Sequence, residues 1–394
     1  MTEPLDLVTG AAGFSGSHLL RELLAAGRHV LATDRNTMID DHETRRVLTA
    51  CGVDLDHPHL TWLAADLLQP TSLQPLFEHP VRRIFHTASL YDYSAPLDRL
   101  RRVNVQGTRN LLAAASGVVL ERFVHWSTCG IFGKPTTAAQ SGAQGNLPFT
   151  ERSSSPKNTP LGASGPENTA LVNEYSISKW EQEQMLWRAH REQGLPLTVI
   201  RPAPIYGPGS SYGHGGLVLG IAAGLLPVLP TDAQNYITTS VHVHDLARFA
   251  VHIAQQQDAL GEDYNVVDDS VISYYDFLRY IALLTGARVR DLPVVRLERA
   301  QGLLKATARG WRWAETRLGV PRLRIFEIQS TSYIASSYWI SNRKSKATGF
   351  HYRYADVREG LKDTVDWFRE MSWLGDRSLL YAASPEGSKA ETAR

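Results

Sequence analysis

A tyrosine and a lysine lie four residues apart in the segment EYSISK, at Tyr175 and Lys179. If this segment is helical, the two positions share one face, so the ammonium group lies about one turn from the phenol. A nearby cation favours phenolate over phenol and so lowers the pKa of the tyrosine. Such a pair could move a proton to or from a substrate oxygen. Taken alone, the spacing is more typical of an exposed helix with an unrelated tyrosine and lysine.

Three glycines follow the first predicted strand in the segment LVTGAAGFSGSHLL, at Gly10, Gly13 and Gly16. Glycines allow a tight turn and a close backbone approach, and the N-terminus of the next helix offers N–H groups to a pyrophosphate. The spacing is G-x-x-G-x-x-G, with one more residue before the second glycine than in G-x-G-x-x-G. We therefore predict a dinucleotide site here, with Phe14 and Ser15 on the same turn.

Two acidic residues follow the second and third predicted strands. Asp34 could accept hydrogen bonds from both ribose hydroxyls of NAD and would repel the 2′-phosphate of NADP. The adjacent Arg35 could offset that repulsion and hold a phosphate, so NAD is favoured and NADP stays open. Asp66, followed by Leu67, could reach the adenine edge or equally could cap a helix.

The order of elements predicts the fold class. Short apolar runs alternate with helical stretches from LDLV to LTVIRP, which indicates parallel strands joined by right-handed crossovers. We predict an α/β protein with a Rossmann-type doubly wound sheet in residues 1–270. Residues 133–174 are rich in Gly, Ser, Pro, Asn and Thr and predict a long loop. A smaller, mainly helical lobe is predicted for 271–375, interleaved with parts of 205–240, and a flexible tail for 376–394.

Composition limits the function classes. The 394 residues are 43% hydrophobic and 21% charged with a formal net charge of +1, which is typical of a soluble globular protein and argues against a nucleic-acid partner. The two cysteines, Cys51 and Cys129, are too few for a disulfide framework, so we expect a reducing compartment, the cytoplasm. No apolar run approaches the ~18 residues of a membrane span, and we expect no targeting segment.

Seven motifs occur in the order and near the spacing of one enzyme family. They are TGAAGFSG, HTAS at 86–89, NVQGTRNLL, STCGIFG, YSISK, RPAPIYGPG and VHVHDLA. Together they resemble the extended short-chain dehydrogenase/reductase family, which includes NAD-dependent epimerases, dehydratases and 3β-hydroxysteroid dehydrogenases. The resemblance covers roughly residues 5 to 270. It implies the doubly wound fold, a nicotinamide cofactor and, in many members, a homodimer.

The resemblance also assigns roles to single residues. It implies that Tyr175 is the general acid/base, that Lys179 lowers its pKa and holds the nicotinamide ribose, and that Thr128 binds the substrate oxygen. Asn104 is expected to support this helix and a water relay, or to be a structural cap. Further cofactor contacts are expected at Thr87, Ala88, Ser89 and Pro202.

Departures from the family pattern narrow the substrate. Dehydratases of the family carry Asp-Glu where this chain has Cys129 and Gly130, and sugar-nucleotide enzymes usually show NVYGP where Pro204 stands in PIYGP. The segment RPAPIYGPGS instead resembles the 3β-hydroxysteroid dehydrogenase branch of the family and the related bacterial reductases of long-chain β-keto acids. This resemblance implies a secondary alcohol or ketone on an apolar molecule, steroid-like or a long-chain β-keto acid. The alternatives are a nucleotide-sugar epimerase with tightly bound NAD and, from another class, a protein that only senses the dinucleotide.

Two further features have structural and functional interpretations. His242 and His244 alternate as on a strand end, but no third ligand at metal spacing is apparent, so we predict no metal. The segment 296–324 holds eight basic and two acidic residues and could form a basic amphipathic helix. Such a helix could contact an anionic membrane or an acidic substrate, or be a solvated helix of the C-terminal lobe.

Overall fold

A computed structural model of the chain describes residues 3–35, 40–93, 95–135, 148–153, 156–157, 159, 163–166, 169–293 and 337–380, with scattered positions from 296 to 318. A seven-stranded sheet forms its centre, and every strand pair in it is parallel. The spatial order is β3-β2-β1-β4-β5-β6-β7. The strands are β1 (Leu5–Thr9), β2 (His29–Thr33), β3 (Leu60–Trp62), β4 (Val81–His86), β5 (Arg122–Trp126), β6 (Leu197–Pro202) and β7 (Glu262–Val266).

This order confirms the predicted doubly wound sheet. The chain moves outward from β1 to β3 and then crosses to β4, so the strand order reverses between β1 and β4. In open α/β sheets a crevice opens at such a reversal beyond the carboxyl ends of the strands, and ligands bind there. The glycine turn after β1 and the HTAS motif at the end of β4 both lie at this reversal.

Eleven α-helices are described. They are α1 (Phe14–Ala25), α2 (His42–Ala50), α3 (Pro70–Leu73), α4 (Leu97–Leu100), α5 (Gly107–Ala114), α6 (Glu174–Gln193), α7 (Gly213–Ala222), α8 (Val243–Ala254), α9 (Tyr274–Thr285), α10 (Arg343–Ala347) and α11 (Val357–Glu370). A π-helical turn, Arg101–Gln106, joins α4 to α5. Short 3-10 helices are Gln74–Glu78, Cys129–Phe132, Thr231–Asn235, Gln257–Ala259, Trp373–Gly375 and Arg377–Leu380.

Both faces of the sheet are covered by helices. Successive residues of a strand point to opposite faces, so Leu7 packs in one layer of the core and Val8 in the other. Helices α1 and α8 cover the face of Val8, and α5 and α6 cover the face of Leu7. This double coverage explains why β5 and β6 are buried along their whole length, although each also contains polar residues.

Residues beyond the sheet form a second packed region. Helices α7, α9 and α11 bury one apolar cluster, which includes Phe277 and Phe368. Leu380 is buried in the same cluster, so packed chain continues past the predicted start of the tail at residue 376. Two-residue and three-residue ladders pair Val228–Pro230 with Arg290–Leu292, Ile237–Thr238 with Ile272–Ser273, Ile205–Tyr206 with Val241–His242, and Lys134–Pro135 with Thr169–Ala170.

Helix α6 carries the tyrosine–lysine pair and has defined ends. The side chain of Asn173 accepts a hydrogen bond from the backbone N–H of Ser176 over 2.8 Å, which satisfies an otherwise unpaired donor of the first turn. Gly194 ends the helix in the left-handed conformation, with φ of 71°. The predicted helix at EYSISK is therefore confirmed, and its N-cap lies two residues before Tyr175.

Candidate active site

The glycine turn has a backbone that larger residues would not fit. Gly10 has φ of +69°, and a Cβ there would lie 2.8 Å from the Cα and N atoms of Ala88. A Cβ on Gly16 would lie 2.1 Å from the Gly10 carbonyl oxygen. Gly13 has ordinary φ of −80° and begins α1 without any side-chain cap. The turn therefore leaves the first N–H groups of α1 facing the crevice, where an anion would be favoured.

The segment after β4 is bound to the glycine turn. The hydroxyl of Thr87 donates to the Thr9 carbonyl oxygen over 2.7 Å, and the N–H of Ala88 donates to the Thr9 hydroxyl over 3.4 Å. Ser89 donates from Oγ to Oδ1 of Asn104 over 3.1 Å. Residues 87–89 thus form one wall of the crevice, held at both ends by hydrogen bonds.

Two carboxylates lie at the far end of the crevice. Asp34 accepts from the backbone N–H of Ala12 over 3.2 Å and from that of Arg35 over 2.8 Å. Burial raises the pKa of Asp34, and the nearby Asp66 carboxylate acts in the same direction. Asp66 accepts from the N–H of Leu68 over 2.8 Å in a turn and lines the cavity, and the N-cap of the next helix, α3, is Gln69 rather than Asp66. Arg35 is exposed.

The motif NVQGTRNLL contacts the segment that contains Asp66 and Leu67. Asn110 donates from Nδ2 to the carbonyl oxygen of Leu67 over 2.8 Å. A Cβ on Gly107 would lie 2.9 Å from the Cβ of Leu67, so only a glycine lets this helix approach so closely. Gly107 and Asn110 were missed as site residues, although the motif that contains them was the signal.

Asn104 lies behind the cavity and joins three segments. Its Oδ1 accepts from Ser89 Oγ over 3.1 Å and from the backbone N–H of Leu90 over 2.7 Å. Its Nδ2 donates to the Ser178 hydroxyl over 3.0 Å and to the Leu90 carbonyl over 3.3 Å. Asn104 is 1% exposed and uses both polar atoms of its side chain within the protein. These hydrogen bonds tie α6 to the wall after β4.

Tyr175 lies at the start of α6 among other aromatic rings. Its ring meets that of Tyr91 edge-on at 5.0 Å between centroids, and that of Tyr93 at 5.5 Å. Tyr91 in turn meets Tyr212 at 5.9 Å. Tyr175 is 7% exposed and lines the cavity, so its phenol is shielded from bulk solvent while facing the crevice.

Lys179 is buried one turn after Tyr175. Its Nζ donates to the Trp126 carbonyl over 2.8 Å and to Oε1 of Gln182 over 2.5 Å. Burial lowers the pKa of Lys179 to about 7 because the ammonium loses its hydration. Gln182 donates onward to Thr108 over 2.7 Å. Gln182 was not singled out from the sequence, although its spacing of three residues from Lys179 places it on the same helix face.

The two hydroxyl residues after β5 have different surroundings. Ser127 is turned into the core, where Oγ donates to Oε2 of Glu183 over 2.5 Å. Thr128 is half-buried, lines the cavity and accepts from the N–H of Gly130 over 3.0 Å. Cys129 is buried and donates from Sγ to the Arg201 carbonyl over 3.1 Å. Burial raises the pKa of this thiol well above its usual range, which suits an inert structural residue.

A buried ion network supports α6 from behind. Glu183 and Arg201 are both 0% exposed and form an ion pair, and Arg201 also contacts Asp263 over 2.7 Å. Their mutual charge keeps Arg201 protonated and raises its pKa despite burial. Glu183 lies one turn after Lys179 and holds Ser127 as well, so it connects α6 to β5, β6 and β7. The sequence analysis missed this network.

A cavity of about 1500 Å³ runs from the glycine turn to α9. Its walls include all the predicted cofactor residues and three of the four predicted catalytic residues, Asn104 being the exception. From Pro202 onward, none of the described lining residues carries a formal charge. These residues, called the uncharged half below, are mostly aliphatic and aromatic, with Leu217, Leu225, Leu226, Leu229, Tyr274 and Leu278 among them. The charged residues that line the cavity all come earlier in the chain: Asp34, Arg35, Asp66, Asp98, Arg99, Arg102 and Lys179.

His242 and His244 have a third potential ligand after all. Asp363 of α11 comes near them, and ligand atoms of the three side chains lie within 4.8 Å of one another. However, His242 Nδ1 accepts from the N–H of His244 over 3.3 Å, so the neutral ring carries its proton on Nε2, which faces Asp363 Oδ2 at 3.3 Å. A metal on Nε2 would move this proton to Nδ1, where it would oppose the N–H of His244. We assign the cluster to the contact between α8 and α11.

The predicted basic amphipathic helix at 296–324 lies largely outside the described residues. At two positions that are described, Trp313 and Leu318 are 60% and 66% exposed. Among the parts of the chain that the structure describes, no helix combines the length and the apolar character needed to cross a bilayer.

Comparison with known proteins decides the family. A sequence model of the NAD dependent epimerase/dehydratase family matches residues 7–266, about two thirds of the chain. The chain belongs to this family. The matched region runs from β1 to the end of β7 and so contains the glycine turn and α6. The resemblance to extended short-chain dehydrogenases/reductases that the motifs predicted is thereby confirmed.

Relatives of this epimerase/dehydratase family member include steroid dehydrogenases. A "3-beta-hydroxysteroid dehydrogenase" of Mycolicibacterium neoaurum is 26% identical over 393 residues, covering 96% of each chain. A "3 beta-hydroxysteroid dehydrogenase/Delta 5-->4-isomerase" of Mycobacterium tuberculosis is 26% identical over 325 residues, or 80% of this chain and 77% of that protein. The family and these relatives support an enzyme of the dehydrogenase or epimerase type that acts on small molecules with a nicotinamide dinucleotide.

Solved structures share the fold. A UDP-glucose 4-epimerase from Thermotoga maritima, crystallised with UDP-glucose, has a TM-score of 0.66 at 19% identity and covers 93% of this chain and 99% of its own. At that identity the likeness extends to the Rossmann-type architecture, which agrees with the predicted fold class.

Proposed function

We propose that the protein is an NAD(P)-dependent oxidoreductase that interconverts a secondary alcohol and a ketone on an apolar substrate. The observation that carries this proposal is the uncharged character of the cavity from Pro202 onward among the described residues. A sugar nucleotide brings a pyrophosphate, which needs cationic partners, whereas an aliphatic or aromatic molecule gains by burying its surface against these walls. The steroid dehydrogenases among the relatives favour the same substrate class.

The residues at the glycine turn fit a dinucleotide. A Cβ at Gly10 or Gly16 would fill the space where the turn and α1 come together, and the first N–H groups of α1 can receive a pyrophosphate. Asp34 would accept hydrogen bonds from the adenosine ribose, and Lys179 would reach the nicotinamide ribose by leaving Gln182. When bound, the nicotinamide ring accepts or supplies the hydride.

The proton is handled by Tyr175. In the oxidation direction, its phenolate takes the hydroxyl proton as the hydride leaves the carbinol carbon, so the C–H and O–H bonds break and a C=O bond forms. Thr128 holds the substrate oxygen through its hydroxyl. Lys179, with a pKa of about 7 in the folded protein, stabilises the phenolate in its protonated form, since a free phenol with pKa of ~10 is poorly matched to neutral pH. Reduction uses the same groups with the phenol as the acid.

We favour NAD over NADP as the cofactor. Asp34 and Asp66 lie close enough to influence each other's charge, and a 2′-phosphate placed beside them would be repelled. Arg35 is exposed, so solvent screens its charge and it offsets this repulsion only in part. Asp34→Ser should weaken NADH binding and strengthen NADPH binding, as measured by titration of the cofactor fluorescence. A variant with unchanged relative affinity would contradict the role of Asp34.

A substrate panel tests the proposed reaction. Steroid alcohols, long-chain β-hydroxy acids and UDP-sugars would be incubated with the protein and NAD or NADP while reduced cofactor is followed by its absorbance. We expect steady formation of reduced cofactor with an apolar alcohol. Conversion of a UDP-sugar to its epimer with no net change in cofactor would instead establish the epimerase alternative.

A further inference from the structure

One polar side chain stands out in the uncharged half of the cavity. His214 lies in the first turn of α7 and lines the cavity at 6% exposure. Its Nδ1 is 2.9 Å from the hydroxyl of Ser240, which is itself 1% exposed. Its ring packs against Phe277 of α9 at 4.5 Å between centroids. The orientation of the imidazole is therefore fixed on two sides.

The other ring nitrogen of His214 remains open. Nε2 has no hydrogen-bond partner among the described residues, and it is not one of the buried polar atoms that lack a partner. Part of this atom therefore stays accessible, and the surface next to it is the cavity. His18 differs: it is 0% exposed, its Nε2 reaches the Pro208 carbonyl over 2.8 Å, and its Nδ1 is buried without a partner among the described residues, so neither nitrogen is accessible to a ligand.

His214 lies on the wall that leads away from the reacting group. The Tyr175 ring contacts Tyr91, and Tyr91 contacts Tyr212 at the start of α7. The hydroxyl oxygen of Tyr91 would be 3.8 Å from a Cβ placed on Gly213. The chain of contacts thus passes from Tyr175 through two rings to the turn that carries His214. A substrate with its reacting carbon at Tyr175 would extend along these rings toward His214.

We propose that His214, oriented by Ser240, is a hydrogen-bonding anchor for the end of the substrate remote from the reacting carbon, and that this end carries an uncharged hydroxyl or ketone. The inference rests on the proposed alcohol–ketone function and adds a specificity residue to it. Much of the remaining described lining from Pro202 onward is aliphatic, and its other polar side chains are hydroxyls: Ser210, Ser211, Tyr212, Thr238, Thr239, Tyr274 and Tyr338. Among these described lining residues His214 supplies the one ring nitrogen, and its orientation is fixed by Ser240 and Phe277.

The imidazole selects for an uncharged group. Burial lowers the pKa of His214 to about 4, so the ring is neutral at physiological pH. The role of Nε2 depends on the tautomer of the neutral ring. If Ser240 donates to Nδ1, Nε2 carries the proton and donates; if Nδ1 donates to Ser240, Nε2 accepts. It offers no charge to a carboxylate, and the described residues of this half of the cavity provide no cation either. A long-chain β-keto acid with its carboxylate at this end would be disfavoured.

A pair of steroid alcohols tests the inference. Both carry the same secondary hydroxyl on the first ring, and one has a ketone on the last ring where the other has no oxygen. For His214→Leu we expect the KM of the oxygenated alcohol to rise about tenfold, with kcat within about twofold, and the KM of its partner to stay unchanged. His214→Gln should restore part of the preference, and Ser240→Ala should reduce it in part.

Two outcomes would overturn the inference. If His214→Leu changed the KM of both alcohols equally, or of neither, the side chain would not bind the remote oxygen. Leucine keeps the apolar packing against Phe277, and thermal unfolding of each variant identifies any loss of structure. Equilibrium dialysis of both steroids against NADH-saturated protein separates this inference from the proposed function. Oxygen-dependent binding without turnover would support the anchor while refuting the reaction, and binding without preference would refute the anchor.

Discussion

Asn104 donates from Nδ2 to the hydroxyl of Ser178 over 3.0 Å, and Ser178 directly precedes Lys179 in α6. The same asparagine accepts from the backbone N–H of Leu90 in the wall after β4. The helix that carries the proposed acid/base pair is therefore tied to the wall of the cofactor crevice by one buried amide. The proposed chemistry depends on this connection because Tyr175 must meet both the substrate and the nicotinamide.

Replacing that amide should affect catalysis and stability together. Asn104→Ala leaves the N–H of Leu90 and the hydroxyl of Ser178 without this partner, so we expect a loss of about 1–3 kcal/mol in the free energy of unfolding. kcat should also fall because α6 is no longer held at the crevice. Asn235→Ala is the control, since Asn235 is exposed and bonds Asp232 at the surface. Equal effects of the two substitutions would contradict the role of Asn104.

The ion network behind α6 predicts a contrast within one helix. Glu183→Gln leaves the buried Arg201 with a weaker partner, so we expect a loss of about 3–5 kcal/mol in the free energy of unfolding. Glu192→Gln removes an ion pair with Arg188 at the surface, where the Glu192 and Arg188 side chains are 47% and 63% exposed. This change should lower the free energy of unfolding by less than about 1 kcal/mol. Guanidinium unfolding measures both. Similar losses would show that the buried network does not stabilise α6.

The glycine turn predicts a steric effect on cofactor binding. In Gly16→Ala the added methyl group would lie 2.1 Å from the Gly10 carbonyl oxygen, so the turn must shift away from the helix. We expect NADH affinity to fall at least about tenfold, which is the loss of about 1.4 kcal/mol of binding free energy. A Cβ on Gly375 meets no atom within 4 Å, so Gly375→Ala should bind NADH like the wild type. Fluorescence titration of NADH compares the two, and unchanged affinity in Gly16→Ala would place the cofactor elsewhere.

Burial of Lys179 predicts a pH dependence of stability. Its pKa in the folded protein is lowered to about 7 from the ordinary 10.5, so between these values the unfolded chain binds the proton and the folded chain does not. The contribution of Lys179 to the free energy of unfolding should therefore rise with pH across this window and be lowest below pH 7. Lys179→Met has no titrating group and removes this rise.

Urea unfolding at several pH values measures that difference. The wild-type free energy of unfolding minus that of Lys179→Met should increase from about pH 7 toward pH 10. A difference that stays constant over this range would mean that the amine is not buried as the structure has it. A difference that falls with pH would indicate that a carboxylate, rather than burial, controls Lys179.

Local patterns predicted the fold, and they are the basis on which the residues at the front of the site are proposed. The glycines, Asp34 and the Tyr175–Lys179 pair depend on short-range spacing within a turn, a strand end or a helix, which a sequence displays directly. Parallel strands then bring their carboxyl ends to one edge, so residues that follow different strands meet there without any knowledge of side-chain packing. The choice of Thr128 over Ser127 also depended on counting within a motif, and the structure turns Ser127 toward Glu183.

Contacts between distant segments were beyond such patterns. Glu183, Arg201 and Asp263 come from a helix and two strands, and nothing in their spacing tells that three charges will share one buried site. Asp363 reaches His242 from α11, over one hundred residues away, so it was absent from the predicted ligand set. Such contacts depend on tertiary packing. The distances between these side chains are set only when the sheet and the helices that cover it pack together.

The role of Tyr175 is tested most directly by Tyr175→Phe, assayed with NAD and an alcohol that the wild type oxidises. Phenylalanine keeps the ring contacts with Tyr91 and Tyr93 and removes only the hydroxyl. We predict that kcat falls by about 10²- to 10⁴-fold while NADH affinity stays within about threefold of the wild type. Turnover at the wild-type rate, with the cofactor bound as before, would contradict the assignment of Tyr175 as the group that exchanges the proton.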